Sequence, residues 1–306
     1  MDMPDICLAG TGGMLPLKDR YLTGCFLEYN GKAILIDCGE GMQVALAAAE
    51  LKMSRIEMIL ITHNHADHVT GLPGLLLSVG NCSREEPIDI YLPESAERVV
   101  RNLISVCGKL PFEVRLHLLS DKEAVSFTAD KIDPMLTIST LPLKHSVKCI
   151  GYDFVLEKKA VFQPDKAQAL GIPVKMWRVL HGGEAVTLDD GRVIQPEEVL
   201  GDKRPPVKVT YVTDTLPINA IVPFAKGADL FICEGMYGDA DKKQSMNEKG
   251  HMLMQDACRL AKEAGVKQLW LTHYSPAEKH PENFEKELKA LFPNVLVSKD
   301  GEKITL

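Results

Sequence analysis

The stretch Ile61-Thr62-His63-Asn64-His65-Ala66-Asp67-His68-Val69-Thr70-Gly71-Leu72-Pro73-Gly74 sets three histidines and an aspartate into six positions, at the end of the apolar run IEMILIT (56–62). Such a run reads as a buried strand, so the coordinating side chains fall where that strand stops. His63 and His65 are two apart; in a still-extended chain their rings project to the same side and can grip one ion. Asp67 and His68 follow in the turn. Neutral imidazoles and carboxylates suit zinc, iron or manganese, and two metals held roughly 3.5–4 Å apart are an arrangement used for cleaving phosphoesters. Packed this densely, such residues serve little purpose without an ion. Four of them cannot fill two coordination spheres, so more ligands have to arrive from elsewhere.

Working outward, three other β-rich runs end on a residue of ligand type: His145 after MLTISTLPLK, Asp214 after VKVTYVT, and His273 after KQLWLT. Each alone is equally a surface residue following a strand. Repeated beside the first cluster, they describe a site assembled at one edge of stacked sheets. Asn30-Gly31 between alternating arms predicts a hairpin. Helices are predicted in MQVALAAAELK, from Gly71 through Gly80 with Pro73 in the first turn, and in HMLMQDACRLAKEAG, ending at Gly265. The closing VLVSKDGEKITL reads as a hairpin around Asp300-Gly301. Strands and helices in two comparable halves imply an α/β chain of two mixed sheets packed face to face and covered by helices. Between about residues 159 and 206 the pattern loosens and prolines 173, 196, 205 and 206 interrupt it. The reading is therefore one domain over 1–306 with an inserted arm at about 159–206.

Composition narrows the function. A formal charge of −7 gives no global signal for nucleic acid. Eight cysteines without a CxxC pair, behind a start that lacks a signal-peptide pattern, favour reduced thiols and a cytoplasmic location. No run approaches the length of a membrane span. Gly10-Thr11-Gly12-Gly13 lacks the Lys-Ser/Thr of a phosphate loop and reads as a tight turn at the mouth of the site. Lys18 and Arg20 are candidates for contacting a substrate phosphate, with solvated surface as the alternative. Trp177, between Lys175 and Arg178, is either an arm tip that stacks on a base or a subunit contact.

The segment 62–68 resembles the signature of the metallo-β-lactamase fold superfamily, and within it the chain is most similar to the ribonuclease Z family. Gly10-Thr11-Gly12 with Pro16-Leu17-Lys18-Asp19-Arg20, Asp37-Cys38-Gly39-Glu40, His145 with Gly151-Tyr152, Thr213-Asp214-Thr215, Glu234, His251 and Leu271-Thr272-His273 fall in that family's order. Departures are Cys233-Glu234-Gly235-Met236 for H-E-A-T, His251-Met252-Leu253 for H-S-T, and Tyr21 after the arginine. The resemblance implies a four-layer αββα sandwich and an endoribonuclease that removes the 3′ trailer from precursor tRNA. It also implies a homodimer in which one arm serves the other subunit's site. On that basis His63, His65 and His145 hold one divalent ion, Asp67, His68 and His273 the second, and Asp214 bridges them. Zinc is expected, with manganese or iron also accommodated. A metal-bridging hydroxide attacks phosphorus with Asp67 orienting or deprotonating it, and His251, fixed by Glu234, protonates the leaving oxygen.

Two rivals stay open. Over residues 159–205 seven basic side chains (159, 166, 175, 178, 192, 203, 204) face seven acidic ones (165, 184, 189, 190, 197, 198, 202). Phosphate contacts dominate nucleic-acid affinity through Lys and Arg, so a balanced arm suits a phosphodiesterase for cyclic nucleotides or other small phosphodiesters. A non-catalytic metal-binding protein is the second rival. It predicts an incomplete ligand set, whereas all seven positions are filled.

Overall fold

The computed structural model describes residues 3–306. Strands β1 (Asp5–Gly10), β2 (Gly24–Tyr29) and β3 (Lys32–Ile36) are antiparallel. The β2–β3 hairpin turns at Asn30 (φ 52°) and Gly31 (φ 76°), the left-handed pair that Asn-Gly supplies. Strands β4 (Ile56–Leu60), β5 (Ile88–Pro93) and β6 (Val114–Leu119) then add in parallel. Their crossovers carry α1 (Met42–Ala48), α2 (Ala66–Val69), α3 (Leu72–Gly80) and α4 (Glu97–Ser105).

The second sheet starts with β7 (Ser126–Thr128), β8 (Leu136–Lys144) and β9 (Lys148–Leu156). Residues 155–207 then form a compact unit of their own. It contains α5 (Pro164–Ala169), α6 (Val174–His181) and the two-residue strands β10 (Val186–Thr187) and β11 (Val193–Ile194), joined through Asp190-Gly191. Its core is Ala167, Ile172, Leu180, Val186, Leu188, Ile194 and Val199, and Trp177 packs against it. The indole N–H donates to the Ile172 carbonyl (3.0 Å) and the ring lies 5.4 Å from Phe162. Trp177 is thus partly buried in the packing of this unit. Pro173 does not break the segment; it precedes the first turn of α6, where no intrahelical N–H is lost.

The second sheet resumes with β12 (Val207–Val212), β13 (Leu230–Glu234), β14 (Leu269–Thr272) and β15 (Val295–Val297), all mutually parallel. It is flanked by α7 (Ile221–Ala225), α8 (Lys243–Lys249), α9 (Met254–Ala264) and α10 (Glu285–Leu291). Both sheets have seven strands, and both bury their central strands on two faces, as parallel strands require. Along β1, Cys7 and Ala9 pack with the helix residues Met42, Ala45, Leu72 and Leu75, while Ile6 and Leu8 are buried on the opposite side. The second sheet packs Phe231, Cys233, Leu269 and Leu271 against α7, α9 and α10. The result is the αββα arrangement. No helix among the described residues is long and apolar enough to cross a membrane.

The end of the chain differs from the sequence expectation. The strands flanking Asp300-Gly301 are not a hairpin: β15 pairs with β14, while β16 (Glu302–Thr305) pairs antiparallel with β1 in the other sheet. The turn itself is present, with Gly301 at φ 80°. Its partners come from β1 and its loop, because Gly301 N–H donates to the Leu8 carbonyl (2.8 Å) and Asp300 accepts from Thr11 and Tyr21. An Asp-Gly pair fixes the local bend and leaves the choice of neighbouring strand to tertiary packing.

Candidate metal centre

Parallel strands finish at a common edge, and the side chains predicted from sequence gather there. His63 follows β4, Asp214 follows β12, Glu234 ends β13 and His273 follows β14. Asp37, Asp214 and His273 all have positive φ (60°, 52° and 61°) immediately beyond their strands. For residues with a Cβ this costs about 1–2 kcal/mol each and persists only where the surroundings over-determine it. Here the left-handed bend turns three buried polar side chains inward.

Three overlapping groups among the described residues could hold an ion; two contain the seven predicted ligands, and the third joins Asp214 and His273 to His251. In the first, His145 Nε2 lies 3.2 Å from His65 Nδ1 and 3.7 Å from Asp214 Oδ1, and His63 Nε2 lies 3.9 Å from the same oxygen. In the second, His68 Nε2 and His273 Nε2 are 3.2 Å apart, and each is 3.2 Å from Asp214 Oδ2. Asp67 Oδ2 stands 3.7 Å from His68 Nε2 and 3.4 Å from His273 Nε2. The two oxygens of one carboxylate therefore face two different clusters, and all seven predicted positions converge.

Hydrogen bonds decide which ring atoms carry lone pairs. His145 Nδ1–H donates to the Gly250 carbonyl (2.9 Å), leaving Nε2 to face the cluster. His68 Nδ1–H donates to Asp37 Oδ2 (2.8 Å), and Asp37 is held in turn by Thr62 N–H and Oγ1. This carboxylate behind a histidine is the usual outer support of a metal ligand. Its residue stood in the Asp37-Cys38-Gly39-Glu40 motif, but its contact was invisible in the sequence. His63 Nε2 is fully buried and has no hydrogen-bond partner. Burial, then the charge of His68, push His63 well below the usual histidine range, and burial also lowers His65 and His145. For Asp214 and Asp67 burial acts upward, but the neighbouring histidines outweigh it and hold both carboxyls low. Burial acts downward on His68, yet Asp214 and Asp37 raise it well above its ordinary value. Imidazole nitrogens grouped with ionised carboxylates, with an orphaned Nε2 among them, form the donor set that divalent cations take. The residues fit the group.

Beside the clusters, His251 Nδ1–H donates to Glu234 Oε2 (3.0 Å), and Glu234 Oε1 accepts from Thr215 N–H (2.5 Å). Burial lowers His251, but the Glu234 carboxylate overcomes it, and the imidazole is pushed up to about 9. Its ring lies 4.8 Å from His145 and 5.6 Å from His273. The two proposed phosphate contacts behave differently. Lys18 is exposed, whereas Arg20 spends its guanidinium on the carbonyls of Ser275 (3.3 Å), Glu278 (2.9 Å) and Lys279 (3.3 Å).

The αββα sandwich and its paired clusters define a metal-dependent hydrolase of the metallo-β-lactamase fold. The solved metallo-β-lactamase fold protein YhfI from Bacillus subtilis superposes with a TM-score of 0.70 at 20% identity, covering 100% of both chains. Human tRNase Z, short form, superposes at 0.64 with 25% identity and 98% coverage of both. A Ribonuclease Z from Lachnoclostridium phytofermentans is 41% identical over 304 residues, 99% of this chain and 98% of that protein. The chain belongs to the ribonuclease Z family and, over residues 4–174, to the family described as Anti-Pycsar protein Apyc1.

Proposed function

We propose that the chain is a tRNA 3′-processing endoribonuclease that cleaves a phosphodiester at the edge site. The observation that carries the reading is Asp214, whose two oxygens face two histidine clusters in a chain with full-length ribonuclease Z relatives. His63, His65 and His145 would hold one cation and Asp67, His68 and His273 the other, with Asp214 shared. Bound there, a pair of divalent cations supplies Lewis-acid polarisation of the phosphoryl oxygens and lowers the pKa of water toward neutrality.

The remaining roles belong to the protein. Asp67, ionised and fixed by a 2.6 Å hydrogen bond from Met14 N–H to Oδ2, orients or deprotonates the attacking water. His251 is committed to Glu234 through Nδ1, so it exchanges a proton with the leaving 3′-oxygen through Nε2. Glu234, fully buried and anchored by Thr215, stabilises the imidazolium that donates.

Zinc is the cation we assign, on the strength of five imidazoles among seven ligands; manganese or iron fits the same set. We place the chain in the cytoplasm, a reading supported by its eight free thiols. We further propose one hydrolase domain with an arm at about residues 159–206, and a homodimer. The exposed Val161, Val174, Val179 and Val193 support a contact through that arm. The equal count of acidic and basic side chains in the arm favours a second reading, a phosphodiesterase for cyclic nucleotides or other small phosphodiesters. Incubation with a trailer-bearing precursor tRNA and, separately, with a small chromogenic phosphodiester discriminates them. Cleavage of the precursor at the 3′ trailer supports the leading reading. Turnover of the small ester alone overturns it.

A further inference from the structure

The C-terminal crossover reaches the site from nearly the other end of the sequence. Asp300 Oδ1 accepts from Thr11 N–H (2.8 Å) and Thr11 Oγ1–H (2.7 Å), and Oδ2 accepts from Tyr21 N–H (2.5 Å). Thr11 and Tyr21 are the two ends of one loop, which Gly12 N–H closes on the Tyr21 carbonyl (2.9 Å). One carboxylate therefore ties the base of that loop shut. It is partly buried, and it lies where the chain passes from one sheet to the other.

What the loop carries makes this matter. Met14 N–H, from a residue at φ 68°, donates to Asp67 Oδ2. Gly13 lies against the His273 ring so closely that a Cβ there would stand 2.5 Å from Cε1, and Gly13 N–H donates to the Tyr274 carbonyl (3.0 Å). Tyr274 N–H returns to the Thr11 carbonyl (2.9 Å). From the far end of the loop Arg20 grips the carbonyls of Ser275, Glu278 and Lys279 and lies 5.3 Å above the Tyr274 ring. Residues 11–21 and 273–279 are thus one laced piece, and Asp300 is the side chain that gathers both ends of its first strand of chain.

We propose that Asp300 is a positioning residue that, through the 11–21 loop, fixes Asp67 and His273 in the geometry needed to hold the second cation. The inference rests on the ligand assignment made above. Outer supports of metal ligands typically set affinity by about 10–100-fold. Loss of Asp300 should therefore weaken the site containing Asp67, His68 and His273 by that factor and leave the other site unchanged.

The test is titration of the full chain with Co2+, following the visible absorption of each site, in wild type, Asp300→Asn, Thr11→Val and Ser298→Ala. In Asp300→Asn one acceptor oxygen becomes an N–H2 facing a donor, Thr11→Val removes a single hydroxyl from the clamp, and Ser298 has no hydrogen-bond partner for its hydroxyl. Thermal unfolding is recorded for each. The expected result is two Co2+ per chain in wild type and Ser298→Ala. Asp300→Asn should bind one normally and the other about 10–100-fold more weakly, and Thr11→Val should fall between. Should Asp300→Asn fail to fold, Thr11→Val decides on the same criterion. Wild-type affinity at both sites in the folded variants, or equal weakening of both, overturns the proposal. A wild-type chain that takes up no Co2+ overturns the ligand assignment and the proposal with it.

Discussion

The edge of the sandwich and the unit at residues 155–207 are built on opposite terms. At the edge, strained backbone, buried carboxylates and unpartnered imidazole atoms are held in place by a framework buried on both faces of two sheets. The 155–207 unit has an apolar core of seven buried residues, no positive-φ residue other than glycine, and a surface whose charges cancel. The first region concentrates free energy in a fixed constellation. The second carries no cluster of metal-ligating side chains among its described residues. Chemistry and selection are separable by mutation if this contrast is right.

The largest effect belongs to the shared carboxylate. Asp214→Asn keeps a side chain that tolerates the left-handed bend but removes the charge common to both clusters. Turnover of either substrate should fall by at least about 10³-fold, because water near its ordinary pKa of 15.7 is a poor nucleophile at neutral pH. Steady-state kinetics at saturating cation checks this. His251→Ala comes next. It should cost about 10²–10⁴-fold in kcat, the usual contribution of a positioned acid, while elemental analysis finds cation content unchanged. A weaker effect at the small ester than at RNA is expected, since a good leaving group needs no proton.

Leu180→Ala probes the other region. The residue is fully buried in the small core, and its truncation should destabilise the 155–207 unit by about 2–5 kcal/mol. Protease sensitivity of that unit should rise and precursor tRNA cleavage should drop, with hydrolysis of the small ester unaffected. Equal loss on both substrates would erase the distinction between the regions. The smallest effect is expected from Lys175→Ala with Arg178→Ala. If both meet phosphates, the slope of log affinity against log salt for precursor tRNA shrinks by up to about 1.8. An unchanged slope removes Lys175 and Arg178 from phosphate contact and favours the small-phosphodiester reading.

Much of this was legible in the chain, and the reasons are local. His63, His65, His145, Asp214 and His273 could be found because each interrupts or ends an apolar run; parallel strands bring the ends near His63, Asp214 and His273 together whatever their separation in sequence, and His145 comes from the turn between β8 and β9. The Asn30-Gly31 hairpin and the Gly265 helix end depend on backbone conformations that few residues supply. Contacts made by single polar groups over long separations were not legible. Nothing near Asp300 announces Thr11 and Tyr21, and nothing near Arg20 announces the carbonyls of residues 275–279. Asp300-Gly301 signalled a bend correctly and its strand partners wrongly. Helix α8 escaped notice because its sequence, KQSMNEK, is polar almost all round, with Met246 alone buried.

The central claim is that Asp214 joins two cation sites. Elemental analysis of the folded chain after dialysis against trace zinc tests it most directly, in wild type and Asp214→Asn at equal concentration. The account predicts two zinc ions per wild-type chain and a loss from both sites in the variant. Two ions retained in Asp214→Asn, or one ion in a fully active wild type, would contradict it.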